Sequence, residues 1–220
     1  MIIDLHTHEE LYSADSSMSL EEVVAAARER GLDGLCVTDH SSLGLAGENL
    51  AYLDFPVFIG VEMWTEAGDI VAFGLDELPE RRLSAPEFIA LVAERGGFCF
   101  AAHPFRSVGG GVGDRLDSLK GLHGVETANG TDSPQENALA ARACERLGLA
   151  AVGGSDAHWT RDVGRTATWF PEAVTTMAGL IAALRSGQCR PLVRLPGKGY
   201  VPPPWMEKKG VFFADICVKR

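Results

Sequence analysis

The sequence of 220 residues lacks any hydrophobic run long enough to cross a membrane. A helix that spans a bilayer needs about 20 predominantly apolar residues, so no transmembrane segment is predicted. The first residues also lack a basic region followed by an apolar stretch, which is the pattern of a secretory leader. We therefore expect a cytoplasmic protein without a membrane partner.

Cysteine motifs are also missing. The chain has five cysteines, and none of them stands in a Cys-x-x-Cys spacing. Neither a disulfide framework nor a zinc finger is indicated by scattered cysteines of this kind. We expect all of them to be reduced thiols.

Positive charge is scarce, with 20 Lys and Arg against 30 Asp and Glu and a formal net charge of −10. This balance argues against an extended surface for binding nucleic acid. A small phosphorylated substrate remains compatible with it, because bound divalent ions reverse the local sign of the charge.

Strand-like and helix-like segments alternate along the chain, which favours an α/β fold with a largely parallel sheet. The predicted strands are 2–5, 34–38, 57–62, 70–73, 98–101, 125–127 and 150–152, and the predicted helices are 19–30, 84–95, 134–147 and 176–185. We expect one domain over residues 1–195. A proline-rich arm over residues 196–220, with a strand-like segment at 210–218, is expected to pack on it. The oligomeric state stays open.

Histidines and carboxylates stand at the ends of the predicted strands. His6 and His8 share one face of the first strand, because side chains alternate along a strand. Later strands end near His40, Glu62, His103 and Asp156, with His158 two residues further on. Since the carboxyl ends of parallel strands meet at one pole, these side chains are predicted to converge there.

The residue types at these positions predict a metal centre. Imidazole and carboxylate ligands suit zinc, manganese or iron, and the missing thiolates argue against a structural zinc site. The set of candidate ligands is too large for one ion, so two or three divalent ions are expected. Glu62 has two carboxylate oxygens and could bridge two of them.

Five short motifs, in this order, resemble those of the PHP (polymerase and histidinol phosphatase) domain family. They are DLHTH at residues 4–8, VTDH at 37–40, GVE at 60–62, AHP at 102–104 and GSDAH at 154–158. The resemblance implies a distorted (β/α)7 TIM-like barrel with metal-dependent phosphoesterase activity. It also implies three ligand sets, namely His6, His8, Glu62 and Asp156 for the first ion, Glu62 and His103 for the second, and Asp15, His40 and His158 for the third.

One position departs from the family pattern. Many members carry a histidine where this chain has Asp69, so Asp69 could replace it as a ligand, or it could simply be a turn residue. Asp15 has the same two interpretations, because it lies in a serine-rich turn-like segment. We expect Asp4 and Asp39 to orient the ligands and not to bind metal themselves.

Three further residues are predicted to meet the substrate. Arg106 follows His103 closely and is well placed to contact a phosphate oxygen, although a surface ion pair is an equal alternative. Glu126 and Asn129 match a Glu-x-x-Asn pattern of the family and could line the substrate pocket.

These features together predict hydrolysis of a small phosphomonoester or nucleotide by a metal-bound hydroxide, with Glu62 and Arg106 as catalytic residues. One alternative is an exonuclease or RNA-processing enzyme of the same family. Another is an amidohydrolase-type C–N hydrolase, which is disfavoured because no lysine precedes Lys120 to bridge two metals. A non-catalytic metal-binding domain is the third alternative.

Overall fold

The computed structural model describes residues 1–206, so the strand-like segment expected at 210–218 lies outside it. The strands are β1 (Ile2–Thr7), β2 (Gly34–Val37), β3 (Val57–Trp64), β4 (Asp69–Phe73), β5 (Phe98–Ala101), β6 (Gly124–Asn129), β7 (Ala150–Gly154), β8 (Thr166–Trp169), β9 (Arg190–Leu195) and β10 (Gly199–Val201). The helices are α1 (Leu20–Glu29), α2 (Ala85–Glu94), α3 (Pro134–Leu147) and α4 (Met177–Arg185). The predicted α/β class is confirmed.

All ten described strands belong to one curled sheet, in the order β10-β9-β8-β1-β2-β3-β4-β5-β6-β7. The strands β1, β2, β3, β5, β6 and β7 run in one direction, and β4 runs against its two neighbours. The curl brings β7 back towards β8, where the hydroxyl of Thr168 accepts a hydrogen bond from the Gly153 amide at 2.8 Å. The result is the expected distorted, TIM-like barrel.

The sheet is more mixed than the sequence pattern indicated. Only four residues join β3 to β4, which is far too few for the crossover that a parallel pair needs, so these strands form an antiparallel hairpin. The pairs β1–β8, β8–β9 and β9–β10 are also antiparallel. The strands β8, β9 and β10 were not predicted, because β8 and β9 carry threonine, arginine or proline among their apolar residues and β10 has only three residues.

The helices begin and end close to where the sequence predicts. Ser19 caps α1 and Ser133 caps α3, each with a glutamate three residues later that completes a capping box. Gly148 ends α3 in a left-handed conformation with φ of 66°. Among the described residues, no helix has the length and apolar character needed to cross a membrane.

Two faces of the sheet are covered by separate apolar clusters. The inner cluster joins Ile3 of β1, Phe58 of β3 and Phe100 of β5 to Leu180 and Leu184 of α4, which is possible only because the sheet curls around them. The outer face packs against α1 in one cluster and against α2 and α3 in another. Cys36, Cys99, Cys144 and Cys189 are buried free thiols within these clusters.

The described start of the predicted arm lies against the domain. The strand β10 pairs with β9, and the buried Tyr200 hydroxyl donates a hydrogen bond to the Gly164 carbonyl at 2.8 Å. Further on, the Trp205 indole donates to the Thr127 carbonyl at 2.9 Å. Within residues 196–206, β10 therefore extends the sheet and Trp205 contacts the domain.

Candidate metal centre

Histidines and carboxylates from distant parts of the chain meet at the pole where the six co-directional strands end. Because β4 runs the other way, its first residue, Asp69, lies at the same pole. The side chains gathered there are His6, His8, Asp15, His40, Glu62, Asp69, His103, Asp156 and His158. Three overlapping groups within this set have ligand atoms that all lie within 4.8 Å of one another.

The first group consists of His6, His8 and Asp156. The Asp156 Oδ1 atom lies 3.3 Å from His8 Nε2 and 3.5 Å from His6 Nε2. All three side chains are buried. The extended β1 strand supplies the two imidazoles, and the turn after β7 supplies the carboxylate.

The second group consists of His6, Glu62 and His103, with Glu62 at the centre of the whole constellation. Its Oε1 atom lies 2.8 Å from His103 Nε2 and 3.4 Å from His6 Nε2. Its Oε2 atom lies 2.8 Å from His40 Nδ1 and 3.5 Å from His8 Nε2. One carboxylate is thus surrounded by four imidazoles.

The third group consists of His8, His40 and His158, and Asp15 joins it from the surface. The Asp15 Oδ2 atom lies 3.2 Å from His40 Nε2 and 3.5 Å from His158 Nε2. The Asp15 side chain is 59% exposed, whereas Glu62 is 1% exposed. The constellation therefore extends from a buried end at Glu62 to an open mouth at Asp15.

Burial and neighbouring charges shift the pKa values of the residues at the buried end of the constellation. Burial alone would raise the pKa of Glu62, but the charge of His6 and hydrogen bonds from His103 and His40 lower it well below its usual value. Burial lowers the pKa of His8 to about 4, so its imidazole is neutral at neutral pH, which is the form that binds metal.

The donor atoms fit divalent metal ions. The Nε2 atoms of His6 and His8 are buried and have no hydrogen-bond partner among the described residues. Buried polar atoms are normally paired, so unpaired imidazole nitrogens beside a cluster of carboxylates fit the role of metal ligands. The donors are imidazole nitrogens and carboxylate oxygens, which suit zinc, manganese or iron.

Two of the candidate ligands lie in sparsely populated backbone regions. His103 has φ of 28° and Asp156 has φ of 54°, although neither is glycine. Positive φ values are uncommon for other residues and gather at functional sites, where the surrounding fold holds them in place. Here the amide of Asp156 donates to the His6 carbonyl at 2.7 Å, and the amide of His103 donates to Glu126 Oε2 at 2.8 Å.

Asp4 and Asp39 bind backbone and side-chain groups close to the candidate ligands. Asp4 accepts hydrogen bonds from the amides of His6, Ser155 and Gly164, and burial raises its pKa to about 6. It thereby ties the end of β1 to the turn that carries Asp156. Asp39 accepts hydrogen bonds from the Glu9 amide and the Ser13 hydroxyl.

Glu126 and Asn129 also lie close to the candidate ligands, and the sequence suggested that they line the substrate pocket. Both are buried. Glu126 Oε1 lies 3.1 Å from His6 Nδ1, and Asn129 donates to Glu126 Oε2 at 2.8 Å. Glu126 therefore orients His6, and Asn129 supports Glu126, while a place of either residue in the substrate pocket stays a prediction.

Arg106 is engaged by carboxylates of its own protein. Its Nη2 atom lies 2.5 Å from Asp156 Oδ2, and its Nε atom lies 2.8 Å from Asp132 Oδ1. Nη2 also donates to the Thr131 hydroxyl at 2.6 Å. The Arg106 side chain is 18% exposed, and its contact with a substrate phosphate stays a prediction.

Asp69 stands at the edge of the constellation. Its Oδ2 atom lies 3.9 Å from His103 Nε2, and it is not part of the three compact groups. Burial and the nearby charge of Glu62 raise its pKa to about 6. Gly110 comes so close that a Cβ atom there would lie 2.3 Å from Asp69 Oδ2, so only glycine fits beside this carboxylate.

Sequence reasoning missed three supporting residues. The Ser13 hydroxyl donates to Asp39, accepts from the His40 amide and lies 3.3 Å from His8 Nδ1. Asp132 and Thr131 hold Arg106. Serine and threonine in loops carry no distinctive pattern, and Asp132 directly precedes the Ser133 helix cap, so no sequence signal separates these residues from ordinary turn residues.

The sequence is similar to those of known proteins. A family model described as "PHP domain" matches residues 4–143, and one described as "PHP-associated" matches residues 134–189. An uncharacterized protein of Methanocaldococcus jannaschii is 30% identical over 141 residues, which are 59% of this chain and 82% of that protein.

Solved structures share the fold at lower identity. A two-domain protein from Bacteroides vulgatus, described as containing a predicted PHP-like metal-dependent phosphoesterase, has a TM-score of 0.68 and 21% identity over 87% of this chain and 64% of that one. Endonuclease Q, in complex with a 27-mer duplex substrate, has a TM-score of 0.64 and 16% identity over 84% of this chain. The present chain spans only 57% of the endonuclease chain.

The endonuclease complex contradicts one expectation from the sequence. We expected a small phosphorylated partner and no extended nucleic-acid surface, on the basis of the acidic net charge. A protein with this fold nevertheless binds a 27-mer duplex at its active site. Net charge averages over the whole surface, and bound metal ions change the sign of the field at the site itself, so the average was the wrong quantity to use.

Proposed function

The chain belongs to the PHP domain family, and on that premise we propose that it is a metal-dependent phosphoesterase. The observation that carries the proposal is the arrangement around Glu62, whose two oxygens face four imidazoles in a buried pole of the barrel. The buried and unpaired nitrogens of His6 and His8 add to it, because they need a partner that the described protein atoms do not supply.

We assign the ligands to two or three divalent ions of manganese, zinc or iron. The first ion would take His6, His8, Asp156 and Glu62. The second would take Glu62 and His103, with Asp69 at its edge. The third would take Asp15, His40 and His158.

Bound ions would supply a water of lowered pKa and positive charge for the phosphoryl oxygens. The protein's own part is to hold these donors in a site from which bulk water is largely excluded. One oxygen of Glu62 faces His103 and His6, and the other oxygen faces His40 and His8. Arg106 holds one oxygen of Asp156 and so leaves the other to face the histidines.

Within this activity we infer that the cleaved group is a terminal phosphate, as in a small phosphomonoester or a nucleotide. The donors of the first two groups are buried, and only the third group opens to solvent. A terminal phosphate projects from its substrate and can reach buried donors, whereas an internal phosphate is flanked on both sides. A phosphate at the end of a nucleic-acid strand would reach the buried donors in the same way.

The test is a substrate screen on the purified chain, stripped with a chelator and reloaded separately with manganese, zinc or iron. The arms are glycerol phosphate, a mononucleotide, a 5′-phosphorylated single strand, a duplex, a phosphodiester and an amide. Metal-dependent release of phosphate from the monoesters is expected. Cleavage of the amide alone would favour a C–N hydrolase, and cleavage inside strands alone would favour a nuclease.

The control for this screen is the Glu62→Gln variant, measured at the same metal concentrations. Activity that persists in the variant would come from a contaminating phosphatase. Full metal loading of the wild-type chain without turnover of any substrate would overturn the proposal and leave a non-catalytic metal-binding domain.

A further inference from the structure

Several exposed apolar side chains lie close to candidate ligands in the chain. Eight large apolar side chains in the described part of the chain are exposed, and five of them lie within six residues of a candidate ligand, at or after the end of a strand. These five are Leu11, Tyr12, Trp64, Val108 and Trp159. Isolated exposed apolar residues are ordinary, so the two tryptophans among them are considered by their own contacts.

Trp64 is fixed beside the third ligand group. It lies two residues after Glu62 on β3, and side chains two apart on a strand point to the same side. Its ring centroid lies 5.1 Å from that of His40, and 52% of the residue is exposed. The indole therefore forms part of the wall above the candidate ligands.

Trp159 is the second exposed tryptophan near the third ligand group in the chain. It follows His158 directly in the chain and is 48% exposed. The guanidinium of Arg161 lies 5.1 Å from the centre of its ring, in a cation–π arrangement. His158 Nε2 is in turn 3.4 Å from His40 Nε2, so each of the two tryptophans adjoins one member of a close histidine pair.

We propose that Trp64 and Trp159, the tryptophan pair, form a stacking site for an unpaired nucleobase of the substrate. The inference rests on the proposed function, because the base would be placed while the phosphate reaches the buried donors. Every nucleobase has an aromatic face, and stacking on aromatic side chains contributes about 1–3 kcal/mol per base. Stacking does not require an excess of positive charge, so it is compatible with this acidic chain.

The chemistry of the pair favours a base over other leaving groups. An indole ring offers a flat aromatic face and one N–H donor, which match the flat face of a base better than the many hydroxyl groups of a sugar. Arg161 adds a flat cation that can also stack on a base. A base inside a duplex already has both faces covered, so the pair selects a mononucleotide or the unpaired end of a strand.

The first test compares adenosine 5′-monophosphate with glycerol phosphate, which carries no base. The measured quantity is the ratio of kcat/KM for the nucleotide to kcat/KM for glycerol phosphate. In Trp64→Leu and Trp159→Leu we expect the ratio to fall roughly 5- to 100-fold, mainly through KM for the nucleotide. Tyr52→Leu is the matched control, since Tyr52 is an exposed aromatic residue whose hydroxyl contacts Glu21, and it should leave the ratio unchanged.

A second measurement separates this inference from the proposed function. Titration of the metal-free chain with a single-stranded oligonucleotide should quench tryptophan fluorescence, and the quenching should be lost in the double variant Trp64→Leu/Trp159→Leu. This readout decides the question even if no substrate is hydrolysed. An unchanged kcat/KM ratio in both single variants, or no quenching of the wild-type chain, would overturn the assignment of a base-stacking site.

Discussion

Arg106 and Asp156 form a buried ion pair in which the arginine binds the carboxylate oxygen that faces away from the histidines. The Nη2 atom of Arg106 lies 2.5 Å from Oδ2 of Asp156, while Oδ1 lies 3.3 Å from His8 Nε2. Each oxygen of Asp156 thus has its own role. The arginine fixes the rotation of the carboxylate, and through it the position of a metal donor, as supporting residues of metal sites commonly do.

Removal of the Arg106 guanidinium should weaken both metal binding and stability. In Arg106→Ala, Asp156 and Asp132 lose the cation they share, and breaking a buried ion pair from one side costs about 3–5 kcal/mol. Arg106→Lys should recover only part of the loss, because lysine cannot form the same fork. The measurements are metal affinity by competition with a chelator and the free energy of unfolding of the metal-free chain.

Arg146→Ala provides the comparison for this prediction. Arg146 pairs with Asp117 on the surface, where both side chains are 55% exposed and such pairs contribute little. If Arg106→Ala keeps full metal affinity and loses turnover alone, the arginine contacts the substrate phosphate, as the sequence first suggested.

Metal ions should be necessary for both activity and stability. Purified without a chelator, the chain is expected to contain at least two divalent ions, as measured by elemental analysis. A chelator should lower Tm, because ions that bind only the folded state stabilise it by mass action. Less than one ion per chain after attempted reconstitution would contradict a multinuclear centre.

Variants of Asp69 test whether this residue is a ligand of the second ion. If it binds the second ion, Asp69→Ala should lose about one ion per chain together with most of the activity. Asp69→Asn should lose less, because an amide oxygen can still coordinate. Unchanged metal content and rate in both variants would identify Asp69 as a turn residue whose position is fixed by its backbone hydrogen bond to Gly110.

Replacement of Glu126 should lower metal affinity and leave substrate affinity unchanged. Glu126→Gln keeps the shape but replaces the charged partner of His6 Nδ1, which holds the imidazole in its binding orientation. Loss of such a partner typically lowers metal affinity by about 10- to 100-fold. The variant should regain its rate at high metal concentration. A raised KM with unchanged metal affinity would instead place Glu126 in the substrate pocket.

The convergence of the ligands was predictable from the sequence because it depends on strand direction alone. His6, Glu62, His103 and Asp156 all lie at or just after the carboxyl ends of strands that run the same way. The helices were predictable for a similar reason, since a capping serine followed three residues later by glutamate is a local signal.

The roles of the supporting residues were not predictable, because they depend on contacts between distant loops. Arg106 meets Asp156 across fifty positions of the chain, and Glu126 meets His6 across 120. The local sequence does not determine which of two neighbouring polar side chains points towards the interior. The strands β8 to β10 were missed because tertiary packing, and not apolar alternation, makes them strands.

Glu62 is the residue on which the proposed function depends most. It lies near the end of β3, is buried, and faces His103 and His6 with one oxygen and His40 and His8 with the other. A carboxylate can bind two ions at once, whereas the glutamine amide offers one oxygen and no charge. We therefore expect Glu62→Gln to lose ions from the first and second ligand sets and to lose nearly all hydrolysis.

The Glu62→Gln variant should nevertheless fold, because the surrounding imidazoles can share protons and hydrogen bonds with the amide and no volume is lost. Circular dichroism and the unfolding curve of the metal-free protein check the fold, and elemental analysis checks the metal content. Glu94→Gln, at an exposed position on α2, controls for the loss of one negative charge and should behave like the wild type. If folded Glu62→Gln keeps its metal content and near-normal turnover, Glu62 does not bridge two ions, and the assignment of the centre around this carboxylate is wrong.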